Sequence, residues 1–528
     1  MRHDRARCRV GVSGRGPRRE AGSILLIVTV VMVVGAGLAV SLLTLAFGQF
    51  EYAGSLSDVH RAARVAEGAA AQAERDIRSA LSNYAAIPTG ASVSIDGVAA
   101  SYVTAPVHAQ RIESDAVGIQ SLLQYYRVEG DATVGKSIGR AYKLVDIGRT
   151  PIFQYAVFYS NDLEIFPGPT MTLSGRVHTN RDLYIGSNAS LTLDTNYVRS
   201  AGRMFRQRKD DGSIPGGTLS VRESRPGNNF SDWAGAMDSD SDPHWVDHAI
   251  QTWGGTVMSG EHDVREVNTP AVPAIQPGGY YSNQASLVIK DNKAYFKGTD
   301  VTASLPAGTI TEKSFFDGRE EKTVKTTVID VKKLGASGYF PPDGLVYAYR
   351  TDATSSQPNG IRLQNGAELP APLTVVSPDP VYIKGDYNTV NKKGASVITD
   401  AINLLSNSWD DTKKDNGTLP AASATTYNVA MITGNHQTNG AGYGYNGGLE
   451  NLPRFHENWT GKTAKIRGSF VNLWTSQIAK GPWVYGSDNY TAPNRDWDYD
   501  TDFNDISKLP PYTPMAVRTA KKVYWEWR

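Results

Sequence analysis

The chain has 528 residues, more than one average domain requires, and its 54 Lys and Arg against 53 Asp and Glu give a formal charge of +1. This balance gives no electrostatic reason to expect a nucleic-acid partner. The single cysteine, Cys8, excludes an intrachain disulfide and a cysteine-based zinc site. The 51 Gly, 27 Pro and 26 Tyr favour many short strands joined by tight turns.

The N-terminal segment predicts a membrane anchor. Residues 1–22 form a basic leader with seven arginines, and Gly22 to Phe47 contains no charged residue. As a helix this apolar run measures about 39 Å, enough to cross a bilayer core of about 30 Å. The arginines would stay in the cytoplasm, so we expect a single-pass inner-membrane protein whose body is periplasmic or, in a filament, extracellular. A cleaved signal peptide is the alternative, although such apolar regions are shorter.

The helix is predicted to continue beyond the membrane, within a unit that covers residues 23–88. Between Gly22 and Pro88 the chain has no proline, and beyond the apolar run it is rich in Ala, Glu, Arg and Gln, which favour helix. We therefore predict one rod from Gly22 to about Leu81, roughly 90 Å long. A stripe of small residues suits its second half to packing in a helix bundle. The stripe consists of Ala62, Ala66, Ala69, Ala70 and Ala73.

This segment resembles the PilX-type minor pilins, a branch of the type IV pilin and type II secretion pseudopilin superfamily. The resemblance rests on the basic leader, the Gly22-Ser23 junction, the apolar helix and the stretch RAARVAEGAAAQAERDI. It implies cleavage after Gly22 by a prepilin peptidase, a mature N-terminus at Ser23, and other pilin-like subunits as partners of the helix. The fifth mature residue is a glutamate in major pilins and meets a neighbour's N-terminal amine. Here it is Ile27, which is compatible with a PilX-like or tip-type subunit.

Beyond Pro88, short alternating runs predict strands. Residues 89–150 form a β-strand subdomain with a hairpin-like pair in SLLQYYRVEGDATVGKSIGRAYKLVDIG. Residues 151–204 repeat with a period of about 20, which fits the coils of a right-handed parallel β-helix. We therefore predict a mainly β protein with a long N-terminal helix and a solenoid-like body with insertions, and a β-sandwich is the alternative. The repeat matches Leu163 with Leu183, Ile165 with Ile185, Met171 with Leu191, Thr172 with Thr192, Leu173 with Leu193, and Val177 with Tyr197.

Three further regions complete the predicted organisation. Residues 205–326 are polar and irregular and are interpreted as an insertion, and residues 327–442 as a continuation of the solenoid. Residues 443–528 are rich in aromatic residues and proline, which is typical of a cap that covers a solenoid end. From IFQYAVFYS to the C-terminus the chain also looks like the exported portion of long PilX-type proteins, a resemblance that implies no ligand or activity.

The sequence contains no catalytic or cofactor-binding motif that we recognise, and we predict neither catalytic residues nor a cofactor. Asp496, Asp498, Asp500 and Asp502 alternate, and on a loop they would gather oxygens around Ca²⁺, although solvated acidic turns are the simpler interpretation. The histidines, interpreted as surface residues without zinc spacing, are His178, His244, His248, His436 and His456. An aromatic group fits either sugar stacking or, our preference, core packing. It consists of Trp474, Trp483, Tyr485, Tyr490, Trp497, Trp525 and Trp527.

Together these features predict a non-enzymatic, pilin-like subunit that takes part in assembly or surface display of a type IV pilus or a related filament. Its expected partners are other pilin-like subunits, the inner membrane and a prepilin peptidase, with no nucleic acid. Two alternatives from other classes remain open. One is a membrane-tethered adhesin that binds a surface glycan, and the other is a β-helix enzyme that acts on surface polysaccharide.

Overall fold

The computed structural model describes residues 21–235, 237–412, 419–440, 444–481, 483 and 489–527. The arginine cluster and Cys8 of the leader lie outside these residues, as does Tyr485. The described part is mainly β with one long N-terminal helix, which confirms the predicted fold class at that level.

The long helix α1 spans Ala21–Ser82 without a break, one residue beyond each predicted end. Its 62 residues correspond to about 93 Å. The other α-helices in the described residues are short: α2 (Trp245–Trp253), α3 (Tyr280–Gln284) and α4 (Val331–Gly335). The 3-10 helices span Ile152–Gln154, Gly260–His262, Val272–Ile275, Thr302–Ser304, Leu449–Asn451, Thr501–Asn504 and Ile506–Lys508.

The strands are numbered in chain order. The first are β1 (Gly90–Ile95), β2 (Val98–Ser114), β3 (Gln120–Val134), β4 (Ser137–Pro151), β5 (Val157–Tyr159), β6 (Leu163–Ile165), β7 (Met171–Ser174), β8 (Val177–Thr179), β9 (Leu183–Ile185), β10 (Ser190–Asp194), β11 (Val198–Ser200), β12 (Met204–Phe205), β13 (Thr218–Arg222), β14 (Phe230–Asp232) and β15 (Val257–Met258). The next are β16 (Leu287–Lys290), β17 (Lys293–Phe296), β18 (Thr299–Asp300), β19 (Ile310–Asp317), β20 (Lys322–Asp330), β21 (Leu345–Tyr349), β22 (Asn359–Gln364), β23 (Leu373–Ser377) and β24 (Val381–Lys384). The last are β25 (Ala395–Thr399), β26 (Ile402–Leu405), β27 (Thr425–Asn428), β28 (Ala430–Asn435), β29 (Arg454–Phe455), β30 (Thr463–Gly468), β31 (Phe470–Thr475), β32 (Asn494–Tyr499) and β33 (Met515–Trp527).

The first sheet is antiparallel and has the order β1-β2-β3-β4-β33. Asp96 and Gly97 join β1 to β2, both with positive φ (50° and 75°), as a tight hairpin turn requires. The predicted hairpin is β3 and β4, and Gly135 lies in its turn with φ 58°. The C-terminal strand β33 closes this sheet beside β4, so the end of the described chain returns to a sheet formed by its first strands.

Parallel ladders follow, and they carry the predicted repeat. Five matched pairs lie directly opposite each other in β6/β9 and β7/β10: Leu163↔Leu183, Ile165↔Ile185, Met171↔Leu191, Thr172↔Thr192 and Leu173↔Leu193. The sixth prediction is wrong by one residue, since Val177 pairs with Val198 and not with Tyr197. The spacing there is 21 residues because the turn before β11 is one residue longer, and the added residue keeps Val198 on the buried face.

The longest sheet has the order β15-β11-β8-β5-β31-β28-β25-β23-β21-β16-β17-β18. Its neighbours from β15 to β16 are parallel, whereas β16, β17 and β18 pair antiparallel. The chain enters this sheet in the middle at β5, runs to β15 at one end, crosses to β16, and returns until β31 pairs with β5. Residues 443–528, predicted to cap an end, therefore place β31 in the interior of the sheet and β33 in the first sheet.

Two of the other sheets are also mixed. The order β19-β20-β22-β24-β26-β29 begins with an antiparallel pair and continues parallel, and β14 pairs antiparallel at the edge of β13-β10-β7. The sheets β12-β9-β6 and β27-β30-β32 are parallel. The short apolar runs between residues 345 and 475 form strands of the longest sheet and of these smaller ones. One large core lies between the ladders, and a second lies between α1 and the first sheet.

Tyr84, just after α1, connects the helix to the ladder region. Its ring stacks on that of Tyr280 with centroids 3.7 Å apart, and its hydroxyl lies 3.1 Å from that of Tyr281. Both partners belong to α3. These contacts fix the direction in which the rod leaves the body.

Candidate functional site

The first half of α1 is exposed and apolar. Large apolar side chains from Ile24 to Phe50 show more than a third of their surface, and Ile24, Phe47 and Phe50 are 64%, 67% and 78% exposed. The most apolar 18-residue window has a mean hydropathy of 2.7, and none of it is buried within the chain. An apolar surface this large marks a contact with lipid or protein. By length and composition this helix can cross a membrane once.

Three hydroxyl groups in this half form hydrogen bonds within the helix. The hydroxyls of Thr29, Ser41 and Thr44 donate to the backbone carbonyls four residues earlier, at 2.7, 2.9 and 2.8 Å. Such internal bonds remove the cost of placing a hydroxyl in hydrocarbon. This half of the helix is therefore compatible with a lipid environment along its length.

The second half packs against the first sheet of the same chain. The predicted stripe of alanines is fully buried there, facing Tyr102, Tyr126, Val128 and Val145. The prediction that this stripe packs in a bundle is therefore wrong for the described chain, because its own sheet covers it. A neighbouring helix would instead have to contact the half before residue 60.

Small residues in the sheet allow this close approach. Gly130 and Gly139 lie diagonally opposite in β3 and β4, paired with Ala141 and Ala132. A Cβ at Gly130 would come within 2.2 Å of the Ala66 carbonyl oxygen, and one at Gly139 within 2.3 Å of the Ala62 backbone. Glycine is required at both positions because the helix backbone rests directly on them.

Two hydrogen bonds at the margin of this interface fix the helix on the sheet. The Tyr102 hydroxyl donates to Asp76 at 2.6 Å, and the Thr519 hydroxyl donates to Glu74 at 2.6 Å. Burial, with the bond to Asp76, raises the pKa of Tyr102 to about 12, so this donor keeps its proton at physiological pH. The bond from Thr519 joins the N-terminal helix to the C-terminal strand.

The predicted processing residues Gly22 and Ser23 lie in the first turn of α1, directly after the undescribed leader. Ile27, where major pilins have a glutamate, lies one turn further on and is 59% exposed. No contact of the described chain covers this end of the helix. Cleavage between Gly22 and Ser23 stays a prediction.

The predicted calcium residues lie in two different elements. Asp496 and Asp498 belong to β32, where alternation places Trp497 and Tyr499 in the core and turns the carboxylates away from it. Asp496 accepts a hydrogen bond from Arg467 at 2.6 Å. Asp498 accepts one from the backbone N–H of Ser174 at 3.2 Å.

The other two, Asp500 and Asp502, both bind the Lys392 ammonium, with N···O distances of 2.6 and 2.9 Å. Hydrogen bonds from Lys392 and Lys508 hold the pKa of Asp502 below its ordinary value. Within the described ranges, no group of three or more His, Cys, Asp or Glu is placed to hold a metal ion. Calcium binding by these residues stays a prediction, and the contacts present are ion pairs and backbone bonds.

Three of the histidines interpreted as surface residues are buried, namely His178, His436 and His456. His178 stacks on Phe158 with centroids 5.2 Å apart, and burial lowers its pKa to about 4. Burial likewise lowers the pKa of His456 to about 3. Both imidazoles are therefore neutral at physiological pH, and their surroundings depend on non-local contacts that histidine spacing does not reveal.

Four residues of the aromatic group lie in the core, as we preferred, whereas Tyr485 and the side chains of Trp525 and Trp527 lie outside what the structure describes. Trp474, Trp483, Tyr490 and Trp497 are each at most 6% exposed. Phe470 stacks on Trp497 with centroids 5.3 Å apart. Rings enclosed in this way offer no open platform for sugar stacking. The sequence did not identify a second feature of this region, a cavity of about 210 Å³ beside Phe166, Arg208 and Glu450.

Comparison with known protein families finds none that matches the chain, and comparison with curated proteins finds no match. Among solved structures, the chain aligns with the competence-associated pilin ComZ from Thermus thermophilus at 12% identity. The alignment covers 89% of this chain and 97% of that chain, with a TM-score of 0.22. A score this low says nothing firm about the fold or the role of this chain, so both are inferred from its own geometry.

Proposed function

We propose that this protein is a non-enzymatic, pilin-like subunit whose N-terminal helix first anchors it in the inner membrane and then packs into a filament or its base. The observation that carries the proposal is the division of α1 into two halves of different character. One half is apolar and exposed, and the other is fixed on the chain's own sheet. A single rigid rod thereby connects a membrane or helix-packing surface to a β body.

Physical chemistry favours this role over that of a water-soluble protein. Burial of an exposed Leu, Ile or Phe side chain stabilises by roughly 1.5–3 kcal/mol, and α1 exposes more than a dozen large apolar side chains. Lipid or neighbouring helices would cover them. Gly35 and Gly37 allow a neighbouring helix to approach closely. The hydroxyls bonded within the helix need no partner outside it, so the same surface suits both lipid and a neighbouring helix.

We also propose that the parallel ladders form a solenoid of the β-helix type, interrupted by insertions. The in-register pairing of Leu163 with Leu183 supports this interpretation, as does the series in which Met171 pairs with Leu191 and Leu191 with Leu219. Sandwich sheets are antiparallel, and most pairs in these ladders are parallel. On this interpretation the β body is a stiff domain that the filament displays.

The decisive experiment is mass spectrometry of the protein isolated from its native membrane. We expect residues 1–22 to be missing and the new N-terminus, Ser23, to be methylated. Gly22→Leu should abolish this processing, whereas Gly35→Leu, in the exposed apolar half, should leave it intact. An intact leader in the wild-type protein would contradict the proposal and leave a simple tethered surface domain.

Incorporation into filaments is tested separately by immunogold labelling of sheared filaments and of inner-membrane fractions. We expect label on the filaments or at their base. Label confined to the membrane fraction would argue against incorporation even if Ser23 were the mature N-terminus.

A further inference from the structure

The body holds a polar cleft of about 470 Å³ where the end of α1 and the C-terminal strand β33 meet the ladders. Clefts at such junctions are common places for ligand sites. Four arginines line it, one each from α1, β11, the 263–267 loop and β33: Arg78, Arg199, Arg265 and Arg518. Three carboxylates complete its charged lining: Glu74, Asp263 and Glu266.

The carboxylates of the cleft do not neutralise all of its arginines. Asp263 forms an ion pair with Arg265, and Glu266 forms one with Arg181, outside the lining, at 2.7 Å. Glu74 accepts a hydrogen bond from a neutral hydroxyl group of β33. The cleft therefore keeps an excess of positive charge.

Three of the arginines supply this excess. Among the described residues, Arg78 forms no side-chain hydrogen bond or ion pair, and Arg199 forms no ion pair. The Arg518 guanidinium lies 4.0 Å from Asp115, at the outer limit of an ion pair. These three guanidinium groups are thus available to an anion from outside the chain.

The same three side chains are open to solvent. Arg518 exposes 42% of its side chain, and Arg78 and Arg199 are half-buried. The Arg199 guanidinium lies 4.7 Å from the centroid of the Tyr197 ring and donates to the Thr256 carbonyl. A cation held in this way loses little further freedom when it binds a ligand.

The positive charge of the cleft comes from arginine and does not depend on histidine. Burial, with the charges of Arg199 and Arg518, lowers the pKa of His178 to about 4. This imidazole is therefore neutral at physiological pH. Because both arginines act on the same ring, they lie near each other on one side of the cleft.

We propose that this cleft binds a phosphate monoester. Arg78, Arg199 and Arg518 come from three different elements, so they suit an anion with more than two acceptor oxygens and more than one charge. A phosphate monoester offers three such oxygens and a charge of about −1.5 to −2 at pH 7. A carboxylate offers two oxygens and a single charge, which one arginine already satisfies.

The position of the cleft favours a soluble phosphate over a lipid headgroup. Arg78 lies about 45 Å along the unbroken helix from Phe47, where the apolar run ends. Headgroups beside the apolar run would not reach that far. The cleft belongs to the β body and the packed end of α1, so the proposal is independent of the pilin-like role.

The test is isothermal titration calorimetry of the full chain in detergent with glycerol 3-phosphate, at constant ionic strength. Glycerol lacks the phosphate, and acetate lacks the third oxygen and the second charge. We expect glycerol 3-phosphate to bind with a Kd below about 1 mM and at least tenfold more tightly than acetate, and glycerol not to bind. Equal binding of acetate, or no binding of glycerol 3-phosphate at about 10 mM, would overturn the proposal.

Two variants distinguish binding from folding. Arg78→Gln and Arg518→Gln each remove one of the three guanidinium groups, so each should weaken binding of glycerol 3-phosphate about tenfold. Each should unfold within about 2 °C of the wild type, because neither side chain has a close partner in the described chain. A variant that binds like the wild type would refute the role of that arginine and, if both did so, the site.

The matched control is Arg75→Gln, on the same helix one turn earlier. Arg75 is exposed, lies outside the lining of the cleft and donates to Gln72. This variant should bind glycerol 3-phosphate as the wild type does. Equal weakening by Arg75→Gln and Arg78→Gln would mean that surface charge in general, and not the cleft, attracts the anion.

Discussion

At the scale of single residues, buried carboxyl groups control how this protein responds to pH. Glu164, Asp379 and Glu450 are each at most 7% exposed, and burial raises the pKa of each to about 7. In the unfolded chain these groups titrate near their ordinary values of 3.8 to 4.5. The folded state therefore binds more protons than the unfolded state between these limits, and stability falls as pH rises through this window.

Glu450→Gln isolates one of these contributions. In the wild type, the folded state keeps the Glu450 proton up to a pH of about 7, whereas the unfolded chain loses it near 4.5. Glutamine has no such proton in either state. We expect the free energy of unfolding of the variant, relative to wild type, to be roughly 2 to 3 kcal/mol more favourable at pH 8 than at pH 5. Denaturant unfolding at the two pH values measures this difference.

The control is Glu368→Gln, which makes the same chemical change at an exposed glutamate. His178 and His456, buried as neutral rings with pKa values of about 4 and 3, act in the opposite direction and lose stability as pH falls below their ordinary value of 6.5. They are unchanged in both variants, so their effect cancels. A pH-independent difference for Glu450→Gln would show that this carboxyl is not desolvated.

At the scale of elements, the contact between α1 and the first sheet depends on two glycines, which have no side chain to separate the helix from the strands. Gly130→Ala and Gly139→Ala would place a methyl group against the backbone near Ala66 and Ala62. The helix would have to move away from β3 and β4, and overpacking of this kind costs about 1 to 3 kcal/mol. We expect a lower unfolding temperature for both variants, together with faster amide exchange in the second half of α1.

Gly216→Ala provides the matched control because no other atom lies within 4 Å of the added methyl. Its stability should stay close to that of the wild type. If the three variants unfolded alike, the helix would not rest on the two glycines as described.

At the scale of the whole molecule, the exposed half of α1 contributes nothing to the fold of the body. We expect a chain that begins at Leu56 to be soluble without detergent and to unfold within about 2 °C of the full chain, because it keeps every buried alanine. A chain that begins at Ile77 should aggregate, since it uncovers the apolar face of the first sheet. Circular dichroism and size-exclusion chromatography measure both outcomes. A Leu56 chain that fails to fold would mean that the apolar half supports the body.

The course of the chain explains why the body is one unit. Strand β31 pairs with β5 across more than three hundred residues, and β33 pairs with β4. The last described strands therefore complete sheets that the first strands began. Deletion of the C-terminal segment would therefore remove strands from both sheets and destabilise both hydrophobic cores.

The sequence by itself determined those features that depend on neighbours along the chain. Apolar length and helix propensity predicted α1 to within one residue at each end, and a repeat of about 20 predicted five residue pairs of two strand pairs in register. The same local signals identified the β3–β4 hairpin and the short strands of the body. They also identified the alanine stripe, but not the surface that covers it.

Only the tertiary structure decided which distant segments meet. It placed the alanines on Gly130 and Gly139, inserted β31 beside β5, buried three histidines, and brought Arg78, Arg199 and Arg518 into one cleft. None of these pairings leaves a local pattern, because a side chain's partner across a sheet or cavity depends on how the whole chain folds back. Residue spacing describes one element at a time, whereas burial and charge pairing belong to the assembled molecule.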